Sequence, residues 1–187
     1  MIDKTRERFE SQKFPENVTP FYLGRMHNKS SLGRYLLGIS PSKLPMKIQS
    51  IKAVSKTYSD IGASKAVIDG DMPCLTEIYT TFDIPEPVAA YHMNYVFYDV
   101  WGNISGEGGY TIVIDTEGMS NTLMDKIVYD IDADIEIKDS SKVIGLTPNN
   151  FHICLFGLSS IRTTDGGLYR MEEDCFSNIL NWALPLR

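Results

Sequence analysis

"YHMNYVFYDVWGNISGEGGYTIVI", residues 91–114, decides how the chain is read. Tyr91, Met93, Tyr95, Phe97 and Trp101 share one parity, and His92, Asn94, Val96, Tyr98 and Val100 take the other. Alternation among large aromatics predicts a strand over 91–101 with the odd set in the core. The stretch "WGNISGEGG", 101–109, reads as a turn, because Asn and Gly accept the backbone angles that turns require. A second strand is expected at 109–116, so the pair reads as an antiparallel hairpin. Tyr98 and His92 then fall on an outer face suited to binding, since tyrosine joins a large apolar area to one polar handle.

The same period runs outward on both sides. Strands are expected at 47–55, 74–83, 127–138 and 151–163, with a short one at 65–69. "DGDMP" (69–73), "PEP" (85–87), "EGMSN" (117–121), "KDSSK" (138–142), "TPNN" (147–150) and "TDGG" (164–167) divide them. No helical pattern separates these strands, and parallel pairing of successive strands needs crossover connections. The expected fold is therefore mainly β, an antiparallel sandwich over 46–170. Residues 1–45 read as an irregular or short-helical arm, with helices at 3–13 and 30–38 and breaks at Pro15 and Pro20. Residues 171–187 return to helical period through Met171, Cys175, Phe176, Ile179, Leu180 and Ala183, until Pro185. That C-terminal helix is expected to pack on the sandwich, or to carry Trp182 to a partner.

The chain has 187 residues, 43 % hydrophobic and 22 % charged, which suits one globular core with appendages. No apolar run nears the roughly 18 residues that span a bilayer. "MIDKTRERFESQ" carries no apolar stretch behind its charges, so a secretory signal is not expected. A cytoplasmic protein or a virion component is the expectation. Cys74, Cys154 and Cys175 are far apart and lack C-x-x-C spacing, which reads as reduced, mostly buried thiols.

The net charge of −6 is unevenly spread. Residues 1–56 hold eleven Lys/Arg against four Asp/Glu, a net +7, and the remainder holds seven against twenty, a net −13. The acidic side concentrates in "VYDIDADIEIKD", 128–139, where Asp130, Asp132, Asp134 and Glu136 alternate with apolar residues. Alternate carboxylates on a strand stand about 6.6 Å apart, too spread for one calcium ion to gather them easily. A solvated face that repels edge-to-edge pairing and a docking face for a basic surface both remain open. The basic segment supplies such a surface in Arg25, Lys29 and Arg34, and its contact with an acidic face would weaken in salt.

Two sequence patterns resemble small bacterial immunoglobulin-like modules of the FxLYD kind. Phe97, Tyr98 and Asp99 end a strand and Gly102 and Asn103 follow in the turn, while "LSSIRTTDGGLYR", 158–170, resembles the last hairpin of such modules, with Asp165-Gly166 as its turn. The resemblance spans about 47–170 and implies an immunoglobulin-like sandwich used for binding or assembly. Such modules usually lie outside the cell behind a signal peptide or lipid anchor, and neither is expected from this sequence.

Patterns for chemistry are weak. His27, His92 and His152 lack zinc spacing. "GNISGEGG" lacks the G-K-[ST] of a phosphate loop, and no serine sits in G-x-S-x-G. His152 and Cys154 share a parity without a third partner. Asp115 and Glu117 could serve hydrolysis only with another acid across a cleft. No cofactor is expected, and an enzyme is not the preferred reading; a hydrolase using Asp115, Glu117 or the 130–136 acids stays as a third alternative. The preferred function is a protein-interaction or assembly subunit, engaging a neighbour or another copy through Arg25, Lys29, Arg34, Asp130, Asp132, Asp134, Glu136, Tyr98 and Trp182. A virion or nucleic-acid-associated structural protein, with Tyr22 and Tyr35 among its basic residues, is the rival; an acidic body would repel phosphate backbones.

Overall fold

The computed structural model describes residues 4–25, 32–57, 60, 73–114, 122–130, 142–145, 151–172, 175, 176, 178 and 179. These form one short helix and ten strands: α1 (Lys4–Glu10), β1 (Val18–Arg25), β2 (Gly33–Ile39), β3 (Lys47–Thr57), β4 (Pro73–Asp83), β5 (Val88–Tyr98), β6 (Ile104–Val113), β7 (Thr122–Asp130), β8 (Lys142–Gly145), β9 (Ile153–Thr163) and β10 (Leu168–Arg170). The mainly β class holds. One sheet runs β1-β2-β9-β5-β6, with β10 also paired to β9, and the other runs β3-β4-β7-β8.

The wholly antiparallel pattern does not hold. β2 pairs with β9 in parallel, Tyr35 opposite Ile153 and Ile39 opposite Gly157, and β7 pairs with β8 in parallel. For β2 and β9 the reasoning from absent crossover helices fails because they are not successive strands; for β7 and β8 the connection, 131–141, lies outside the described residues. The whole of the second sheet, with β5 and β6, lies between β2 and β9 in sequence and serves as their connection. The irregular arm is corrected by the same observation: 18–25 and 33–39 are strands, not a loop and a helix, and β2 lies inside the first sheet.

The two sheets face each other across one core. Leu36, Tyr91, Met93, Phe97, Cys154, Phe156 and Leu158 from the first sheet meet Ile48, Ile51, Ile78 and Phe82 from the second. Gly38 on β2 permits the close approach, since a Cβ there would lie 2.9 Å from Ile48 Cδ1 and 3.0 Å from Ile51 Cδ1. The chain crosses between sheets over 40–46, and just inside β3 its pairing with β4 shifts at Ile48/Ser50. The freed Ile48 backbone is satisfied there: its N–H donates to Ser40 Oγ at 2.8 Å, and its carbonyl accepts from the Thr19 hydroxyl at 3.2 Å.

A second core covers the other face of the first sheet. Tyr35, Leu37 and Ile39 of β2, Ile153 and Leu155 of β9, and Tyr98 pack there with Phe9 of α1 and Ile179. Phe9 stacks on Tyr35 with ring centroids 4.7 Å apart. β2 and β9 are therefore covered on both faces, as their near-continuous apolar runs "YLLGI" and "ICLFGL" require. Of the C-terminal helix expected over 171–187, residues 175, 176, 178 and 179 have helical backbone, and most of the remainder lies outside the described residues.

Candidate interaction surface

β6 forms one end of the first sheet. Among the described residues it pairs with β5 alone. The expected turn at 101–109 is shorter in the structure: β6 begins at Ile104, and the chain reverses over 99–103. Asp99 builds that reversal. Its Oδ1 accepts from the backbone N–H of Trp101 at 2.9 Å and of Asn103 at 2.8 Å, and Asn103 Nδ2 donates to Oδ2 at 3.2 Å. Gly102 takes a φ of 84°, in the left-handed region that glycine adopts freely. Desolvation alone would raise the Asp99 pKa, but the bonds from Asn103, Trp101 and Gly102 together hold the carboxyl below its ordinary value.

This rigid reversal holds Trp101 out in solvent, 78 % exposed, and the strand behind it is exposed at both ends, Ile104 at 58 % and Val113 at 81 %. Three glycines make the middle of β6 flat. A side chain at Gly108 would collide with the Tyr95 ring, and a Cβ at Gly109 would lie 2.6 Å from Asn94 Oδ1 and 2.7 Å from His92 Nε2. Side chains of β5 thus lean across β6 and occupy the space that β6 leaves empty. His92 Nδ1 and the Thr111 hydroxyl share a hydrogen bond of 2.8 Å. The edge carries no Lys, Arg or Pro, and Glu107 is its one charge. Those absent residues are the common means of protecting a sheet edge.

The residues singled out from sequence do not form one site. Tyr98 is a correction: it is buried in the second core, because α1 and the segment around Ile179 cover the face expected to be open. Burial pushes its phenol pKa up, with the nearby Glu107 adding to the effect. Arg25 ends β1 opposite Gly33, and Arg34 on β2 is half-buried opposite Gly24. Asp130 ends β7 in the other sheet, opposite Leu75 and Gly145. Lys29, Asp132, Asp134, Glu136 and Trp182 lie outside the described residues, as do the strand at 65–69, His27, Asp115 and Glu117.

The chain gives no match to known family models, to curated proteins or to solved structures. The reading of the surface therefore rests on its own chemistry. Cys154 lies wholly inside the core between the sheets, where desolvation pushes its thiol pKa far up, so it stays protonated. His152 is buried beside Tyr35, and its Nδ1–H donates to the Gly33 carbonyl at 2.7 Å. Tyr35, which the His152 ring meets edge-on, belongs to the second core, whereas Cys154 belongs to the core between the sheets. A polar cleft of about 210 Å³ opens between the 41–43 turn and the 170–179 segment, lined by Asn17, Pro41, Arg170, Cys175 and Ile179 and bridged by an exposed Lys43–Glu172 ion pair. Among the described residues no three metal-ligating side chains gather, and no helix is long and apolar enough to cross a membrane.

Proposed function

We propose that this chain is a non-enzymatic interaction or assembly subunit whose contact element is the β6 edge with Trp101 beside it. The observation that carries the reading is an exposed tryptophan fixed by the Asp99 reversal, beside a ten-residue end strand whose Ile104 and Val113 are exposed and which pairs with β5 alone among the described residues. Open strand edges accept a further strand through main-chain hydrogen bonds, and side chains at the ends set the choice of partner. Exposed tryptophan is a frequent anchor of such contacts. The likeness of 97–103 to immunoglobulin-like interaction modules, drawn from the sequence, belongs to this reading. The charge division of the sequence supports a second, salt-weakened contact between the segment of Arg25 and Lys29 and the Asp130–Glu136 stretch of a neighbour.

A photo-crosslinking residue substituted at Glu107 or Thr111, in cells expressing the full chain, tests the reading. Discrete adducts are expected at both positions and none at Asp165, in the β9–β10 turn. Absence of any adduct from β6 would overturn the proposal.

A further inference from the structure

β2 and β10 occupy the same edge of β9, one after the other, because β5 pairs along the opposite edge. β2 runs parallel to β9 and ends with Ile39 opposite Gly157. β10 runs antiparallel to β9 and ends with Arg170 opposite Ser160. Their C-terminal ends therefore point at each other across a gap beside Leu158 and Ser159. The two chains leave that gap toward opposite faces of the sheet. After β2 the chain turns to the core between the sheets, where Leu44 and Met46 are buried. After β10 the Met171 N–H donates to the Ser159 carbonyl at 2.8 Å, and the chain passes to the second core, where Cys175, Phe176 and Ile179 pack. Neighbouring chains that depart from strand ends to opposite faces leave a crevice between them, the geometry that holds ligands at the switch points of open α/β sheets. The cleft of about 210 Å³ lies there, between the 41–43 turn and the 170–179 segment. Topology sets its place.

The walls of the cleft divide by chemistry. Pro41 and the buried Ile179 give an apolar side, while Asn17 and Asn178 supply amides that both donate and accept. The charges are two cations, Lys43 and Arg170, against the single carboxylate of Glu172, a net +1 in a chain of net −6. Glu172 is already committed to Lys43. Arg170 takes part in no side-chain hydrogen bond or ion pair among the described residues. Its guanidinium is left to present a planar fork to an anion. The volume corresponds to about seven waters, below the roughly 300 Å³ at which drug-sized pockets begin. A bare inorganic anion would use Arg170 and leave the apolar side without contact. A short carboxylate would use both.

We infer that this cleft binds a small monocarboxylate, its charged end on Arg170 and its short apolar chain along Pro41 and Ile179. The site is separate from the β6 contact and stands whether or not β6 meets a partner. An occupant there also ties the 41–43 turn to the segment that carries Ile179 over the second core.

Amide NMR spectra of the isotope-labelled full chain, titrated with butyrate, test the site. The resonances of Asn17, Lys43, Arg170 and Asn178 should shift saturably, with a Kd at or below about 1 mM. Acetate, shorter by two methylenes, should bind several-fold more weakly. Butyramide keeps the shape without the charge and should not shift them. Arg170→Gln should weaken butyrate binding at least tenfold, whereas Glu172→Gln, which frees Lys43, should strengthen it several-fold. Arg162→Gln is the control, because Arg162 is exposed on β9 opposite Leu168 and outside the cleft; its affinity should match the parent's. The same spectra verify that each variant folds.

Butyramide binding as well as butyrate, or equal losses in Arg162→Gln and Arg170→Gln, would overturn the assignment. Inorganic phosphate binding more tightly than butyrate would reduce the cleft to a simple anion site and overturn it too. So would the absence of saturable shifts at about 1 mM.

Discussion

Asp99 carries a prediction at the scale of one carboxyl group. Hydrogen bonds to its charged form hold its pKa below the ordinary value despite the opposing desolvation. A carboxyl depressed in the folded state lends stability that is fully present above its unfolded pKa, about 3.9, and that drains as pH falls through the folded value. Thermal melts of the parent and Asp99→Ala should therefore differ most near neutral pH. The gap should narrow steadily once the pH drops below about 4, and a gap that widened in acid would contradict the assignment. Gly157 makes a separate case. A Cβ there would lie 2.6 Å from the backbone carbonyl of Ile39 and 3.3 Å from the Phe176 ring. A carbonyl in a central ladder cannot rotate aside, so Gly157→Ala should cost about 1–3 kcal/mol in a urea titration.

At the scale of strands, the sequence was most legible where burial is one-sided. β3, β4 and β5 lie close to their expected bounds, because alternation marks a strand with one buried face; β9 also lies close to its bounds although it is covered on both faces. β2 was missed for the opposite reason, and β1, half-buried and carrying Pro20, was missed with it. Leu36, Leu37 and Ile39 are all buried, and a strand covered on both faces loses its period and looks like a short run of any kind. The paired runs "YLLGI" and "ICLFGL" were the available signal. Glycine misled at 105–109, where "SGEGG" reads as loop chemistry yet forms strand, since Tyr95, His92 and Asn94 occupy the space of the missing side chains. Tyr98 was assigned to an open face because a covering third layer leaves no trace in the strand that it covers. Double-sided burial is testable: Leu37→Ala and Leu155→Ala should each destabilise the fold by about 2–5 kcal/mol, measured by chemical denaturation. Either value under about 1 kcal/mol would contradict tight packing on the second face.

For the whole molecule, the pairing order predicts a gradient of protection. β2, β9 and β5 are inner strands of the first sheet, and β6 is its end. Amide hydrogen exchange should be slowest in β2 and β9. β6, which pairs with β5 alone among the described residues, should exchange faster than either. Equal protection across the sheet would contradict the gradient.

The parallel β2·β9 pair also bears on how a ribosome delivers this chain. Tyr35 must find Ile153, so residues translated early wait for ones translated more than a hundred codons later. Until then the nascent β1–β2 hairpin displays a bare apolar flank with no strand to meet it. Topologies dominated by such distant contacts fold slowly and stay vulnerable to aggregation meanwhile. Nascent chains stalled before residue 153 should therefore engage chaperones through β2, and release should coincide with the emergence of β9 from the exit tunnel.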